Sequence, residues 1–100
     1  MIVIFDKLAN QELIDAVEYY EIELPGLGKK LKDEIRKGVQ RIIEFPEAWS
    51  KRKKDIRHYL LHKFPYKILY SIELDYIYII AIAHSHRKPD YWIDRITDKS

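Results

Sequence analysis

Between residues 50 and 56 the spacing of apolar side chains changes from three or four residues to two, which divides the chain into a helical part and a sheet part. Before the change, Ala9, Leu13, Ala16, Val17, Tyr20 and Leu24 recur at helical steps, while Glu12, Asp15, Glu18, Glu21 and Glu23 take the other faces. An amphipathic, acidic helix is predicted there. Pro25-Gly26-Leu27-Gly28 stops it, because Pro cannot continue the hydrogen-bond ladder and Gly accepts turn conformations that other residues refuse. A second helix follows, with Leu27, Leu31, Ile35, Val39, Ile42 and Ile43 on one face, and ends near Pro46. The short turn makes the two an antiparallel hairpin. Gly38 inside the second helix costs about 1 kcal/mol relative to Ala; it either marks a close approach by a neighbouring element or is tolerated drift.

After the change, residues 56–61 read as a strand, His62-Lys63-Phe64-Pro65 as a turn, and residues 66–74 as a strand with clean alternation. Leu74-Asp75-Tyr76 turns the chain into residues 77–83, which are apolar on both faces and belong in the middle of a sheet. Residues 2–5 form a further short strand, and Asp6 is placed to cap the first helix. Residues 50–55 read as a basic, flexible connector. Helices and strands are segregated along the chain, so the class is α+β: an N-terminal strand, a helical hairpin packed on an antiparallel sheet, and a short helical tail beginning at Pro89. A helix there sets Tyr91 and Arg95 four residues apart on one face.

One hundred residues bury one core, so residues 1–100 are expected to be a single domain. With 47% hydrophobic residues and only three Gly and four Pro, the chain lies far from disordered compositions. It has no cysteine, which excludes disulfide scaffolds and thiolate metal sites and suits a reducing compartment. No run reaches membrane-spanning length and the N-terminus lacks the pattern of a signal peptide, so a cytoplasmic protein with no membrane partner is expected. The net charge of +2 conceals a gradient: residues 1–25 hold one Lys and six acids, residues 51–100 eleven Lys or Arg and six acids. Such asymmetry suits a polyanionic partner or an acidic protein segment, and equally a solvated surface.

Polar and aromatic groups concentrate at the end of the chain, in His84, Ser85, His86, Arg87, Lys88, Tyr91, Trp92 and Arg95. His58, His62, His84 and His86 lack a metal-ligand spacing, so no metal is expected, and nothing calls for a cofactor. Arg57, Lys63 and Lys67, with the 51–54 basic run, either form a phosphate-facing surface or keep a sheet edge soluble. Tyr91 and Trp92 are more often packing anchors than chemical groups.

Four features together resemble the RelE/ParE toxin superfamily over nearly the whole chain. They are Glu18-Tyr19-Tyr20-Glu21, the turn Pro25-Gly26-Leu27-Gly28, the stretch Phe64-Pro65-Tyr66-Lys67-Ile68-Leu69-Tyr70, and Ala81-Ile82-Ala83-His84 followed by Arg87, Pro89, Tyr91, Trp92 and Arg95. The resemblance is closest to the ParE-like, or plasmid-stabilisation, branch. It implies the toxin of a type II toxin–antitoxin pair: growth-inhibitory, bound by a cognate antitoxin in a hetero-oligomer, and directed at DNA gyrase. The alternative it carries is a metal-independent, ribosome-dependent messenger RNA endoribonuclease, and a third reading is a non-toxic module that only binds its antitoxin. For a nuclease the implied site residues are Lys67, His84, His86, Arg87 and Tyr91. Lys67 and Ser85 stand where the nuclease branch has Arg, and Lys lacks the planar fork that Arg offers a phosphate. For target or antitoxin binding the candidates are Arg57, Lys63, Lys67, Arg87, Tyr91, Trp92 and Arg95. The antitoxin's C-terminal segment is expected to fold on binding to this region.

Overall fold

The computed structural model describes residues 1–97. Its elements are β1 (Ile2–Phe5), α1 (Lys7–Glu23), α2 (Leu27–Glu44), β2 (Arg57–Leu60), β3 (Tyr66–Ile72), β4 (Tyr76–His84) and α3 (Ile93–Thr97). The four strands form one sheet in the order β1-β4-β3-β2. β2, β3 and β4 pair antiparallel, as expected of strands joined by short turns. β1 differs: it runs parallel to β4, with Ile2 opposite Tyr76 and Phe5 opposite Ile79. A parallel pair needs a long crossover, here supplied by everything between β1 and β4.

The sheet has two unlike faces. The hairpin covers one, burying Leu31, Ile35 and Ile42 of α2 and Ala9 and Ala16 of α1 against Tyr59, Ile68, Tyr70, Ile77, Ile79 and Ile82. Glu21 joins the two helices at their turn by accepting from the backbone N–H groups of Gly26 and Gly28. Gly38 marks a close approach: a Cβ there would lie 2.8 Å from Cε1 of Tyr59. The other face buries Ile56, Leu69, Ile80, Ala81 and Ala83 beneath Trp92.

Two local expectations change. The 50–55 connector closes in a tight turn, because Lys54 and Asp55 both take left-handed backbone angles, Arg52 N–H donates to the Ile56 carbonyl and Lys51 pairs with Asp55 at 3.4 Å. The C-terminal helix begins at Ile93 rather than Pro89, since Asp90 sits at φ 62°, which a right-handed helix excludes. Among the described residues no helix is long and apolar enough to cross a membrane.

Candidate functional site

The tail-side face is where polar chemistry collects, and the cause is a strand that ends early. β1 shares its last rung with β4 at Ile79, and Asp6 N–H donates to the Ile79 carbonyl just beyond. Ile80 is the extra residue of a bulge, because Leu69 faces Ala81 while Tyr70 faces Ile79. The β4 edge past that point would be left without a partner strand. Side chains complete it: Glu12 Oε1 accepts from Ile82 N–H at 3.0 Å, and Arg95 donates to the Ile80 carbonyl at 2.9 Å.

Glu12 is the centre of this arrangement. Its two oxygens accept two hydrogen bonds from the Arg95 guanidinium, both 2.9 Å, and Oε2 accepts from the Tyr91 hydroxyl at 2.7 Å. The pair is enclosed, with side-chain exposures of 10% for Arg95 and 17% for Glu12. Burial, together with the hydrogen bond to Glu12, pushes the Tyr91 phenol well above its ordinary range. Burial pulls Arg95 downward, but its hydrogen bond to Glu12 more than offsets this and holds the guanidinium above its usual value. The sequence places Tyr91 and Arg95 on one helix face; in the structure they converge through Glu12 instead, from the turn and from α3.

Beside this network lies a cup of about 230 Å³ lined by Arg52, His58, Lys67, His84, Arg87, Lys88, Asp90 and Trp92, among others. Arg87 lies over the Tyr91 ring, 3.8 Å from its centroid. Asp90 accepts from Lys53 at 2.7 Å. Arg52, Lys67, Arg87 and Lys88 make no ion pair among the described residues. His58 is pulled down to about 4, first by burial and then by the charges of Lys67 and Arg52. Its Nε2 is buried without a hydrogen-bond partner among the described residues. His84 Nδ1 accepts from His86 N–H at 3.0 Å, which turns the ring's other nitrogen into the N–H when the ring is neutral.

The structure therefore brings together Lys67, His84 and Arg87, with Tyr91 at the margin and His86 attached to His84. It separates the other candidates. Arg57 donates to the carbonyls of Trp49, at 2.6 Å, and Glu47, and so braces the loop before β2. Lys63 lies on the helix side, in a groove it shares with Glu34, Lys37 and Arg41 of α2. Trp92, 3% exposed, is a packing anchor. Two contributors escape sequence reading: Glu12 looks like one more acid on a solvated helix face, and His58 has no neighbour in sequence that announces the cup. Among the described residues no three His, Cys, Asp or Glu side chains gather as metal ligands would.

The family model for the ParE toxin of the type II toxin–antitoxin system, parDE, matches residues 3–89. No curated protein matches the sequence. Among solved structures the chain is similar to one described as the chromosomal ParDE TA system from P. aeruginosa, with a TM-score of 0.73 and 17% identity, covering 84% of this chain and 95% of that one.

Proposed function

Because this chain belongs to the ParE toxin family of type II toxin–antitoxin systems, we propose that it is a growth-inhibiting toxin held in check by a cognate antitoxin, with DNA gyrase as its target. The observation that carries the choice of target is the commitment of Tyr91. Its hydroxyl donates to Glu12 and its ionisation is suppressed, so it is poorly suited to exchange a proton with a ribose or a leaving oxygen. Lys67 and Ser85 add to this, since neither offers the bidentate fork of an arginine.

The antitoxin reading has its own support on the outer side of the hairpin. Ile14 and Ile22 are exposed and border, with Leu13 and Val17, a hollow of about 560 Å³. An amphipathic segment that folds on binding matches such a surface. The ribonuclease reading keeps one favourable observation, the meeting of Lys67, His84 and Arg87 in one cup.

Induced expression without antitoxin, with DNA supercoiling and messenger RNA integrity followed in parallel, tests the proposal. Growth arrest with lost supercoiling and intact transcripts is expected. Transcripts cut within codons, with supercoiling undisturbed, would replace gyrase by the ribosome as target. A folded product that arrests nothing would leave an antitoxin-binding module.

A further inference from the structure

A sheet offers free N–H and C=O groups wherever a strand has no neighbour, and this chain deals with its open edges by different means. Past the bulge, the β4 edge is finished by Glu12 and Arg95. β2, at one border of the sheet, starts beneath the connector: Arg52 N–H donates to the Ile56 carbonyl, Ile56 N–H donates to the Lys53 carbonyl, and Lys51 bridges to Arg57. Its flanks carry Arg52, Lys53, Lys54 and Lys63, charges of the kind that deter a further strand. β1, at the opposite border, has neither device. Its sequence is Ile2-Val3-Ile4-Phe5, without a charge or a proline, and its register with β4 is regular.

One hydrogen bond tells which groups β1 presents. Asp6 N–H donates inward to the Ile79 carbonyl, so the alternation of the ladder turns the backbone groups of Ile2 and Ile4 towards β4 and those of Val3 and Phe5 away from the sheet. Exposed apolar side chains gather around the same edge. Ile2 and Ile4 are 65% and 43% exposed, and beside them stand Leu8 at the start of α1 and Leu74 in the turn before β4.

We infer that β1 is a dimerisation edge, pairing antiparallel with β1 of a second copy of this chain about a two-fold axis at Ile4. The inference goes beyond the toxin reading and stands without it. With the axis at Ile4, Val3 meets Phe5 of the second copy and exchanges both backbone bonds with it, so the outward groups of both strands gain partners. Ile4 lies against its own counterpart. The flanks are complementary as well. Asp75 precedes Tyr76, which is opposite Ile2, so an antiparallel partner brings its Lys7 and Leu8 beside Asp75 and Leu74. Lys7 and Asp75 are exposed and make no ion pair among the described residues. An unrelated strand would satisfy the backbone groups without supplying this match of charge and apolar surface at both ends. Two-fold pairing uses up both copies of the edge, so association stops at the dimer. A pairing of four residues a side buries less than the roughly 1,000 Å² of a durable interface, so the dimer is weak and reversible.

Sedimentation velocity of the purified full chain, from about 5 to about 500 µM, tests this, with a monomer–dimer midpoint of about 10 to 200 µM expected. Val3→Pro removes an N–H that points away from β4 and leaves the β1–β4 ladder whole, so it should raise the midpoint about tenfold or more while the circular dichroism stays that of the parent. Ile4→Lys sets like charges face to face across the axis from an exposed position and should act similarly, which guards against a proline that disturbs β1 itself. Lys7→Glu should weaken the dimer, and Lys7→Glu with Asp75→Lys should restore it. Because the chain has no cysteine, the register can be trapped by a single one. Ile4→Cys should yield a disulfide-linked dimer under mild oxidation, since opposed residues of a non-hydrogen-bonded pair lie about 4.5 Å apart at Cα, within disulfide reach. Ile22→Cys, at a position 76% exposed on α1, should stay monomeric. A chain that is monomeric throughout, a dimer indifferent to both Val3→Pro and Ile4→Lys, or cross-linking as strong at Ile22→Cys as at Ile4→Cys overturns the inference. So does a monomer in which Val3→Pro weakens binding of the antitoxin, since the edge then belongs to that protein's strand. Growth arrest is scored separately: a chain that dimerises through β1 and arrests nothing removes the toxin reading alone, and a monomeric toxin removes this inference alone.

Discussion

The two faces of the sheet are closed by different means. On the helix side, α1 and α2 bury a broad apolar surface, so no single contact dominates. On the tail side a short segment carries one buried indole, Trp92, and is fastened by the Glu12–Arg95–Tyr91 network. Apolar packing seals the first face. The second face is only partly covered, and the remainder is the cationic cup. A face held by a few specific bonds retains polar groups near the surface, and those are the groups available for recognition.

The sharpest way to break this contrast is Trp92→Ala. Removing a buried indole from so small a cluster should cost about 3–5 kcal/mol, read from urea unfolding. Amide exchange should rise over residues 80–97 before it rises in α1 and α2. Uniform acceleration along the chain would mean that the two faces act as one unit. Next in size is the network itself. Glu12→Gln leaves Arg95 enclosed without its counter-charge and should destabilise by about 2–4 kcal/mol, a little below fully buried pairs because both groups keep some exposure. Glu12→Leu with Arg95→Met should recover much of that loss, because burying a charge pair is itself costly. A double variant as unstable as the single one would make the network irreplaceable in shape as well as charge.

The smallest effect is a pH dependence. His58 titrates near 4 in the folded chain against an ordinary value of 6.5, so the folded state disfavours its protonation. Its contribution is complete above about 6.5, is lost as pH falls towards 4, and levels off below. After discounting for partial exposure this amounts to about 2 kcal/mol. The stability difference between the parent and His58→Gln, measured from pH 7 to pH 4, should shrink or change sign across that window. A constant difference would show that neither burial nor the charges of Lys67 and Arg52 disfavour protonation of His58.

Much of the fold is legible in the sequence because it depends on local periodicity. The change of period near residue 50 separates hairpin from sheet, Asp6 caps α1 by accepting from Leu8 N–H at 2.9 Å, and the Pro25-Gly26 turn lies where Pro and Gly require it. Gly38 is one reading that packing decided: Tyr59 lies against it. The site is less legible. Lys67, His84 and Arg87 line one cup, but Arg57 and Lys63, which charge alone groups with Lys67, lie elsewhere, since charge type does not reveal which side of a sheet a residue serves.

By itself the sequence determined the order and kind of the elements, the acidic and basic halves, and the concentration of polar groups after β4. Each of these follows from neighbours within a few positions, where backbone sterics and side-chain period act directly. The tertiary structure decided that β1 joins β4 in parallel, that it ends one bulge short of covering the β4 edge, and that Glu12, 83 residues before Arg95, becomes the group that covers it. A strand's choice of neighbour, and the carboxylate recruited to finish an edge, depend on long-range closure of the whole sheet. No local pattern encodes that distance.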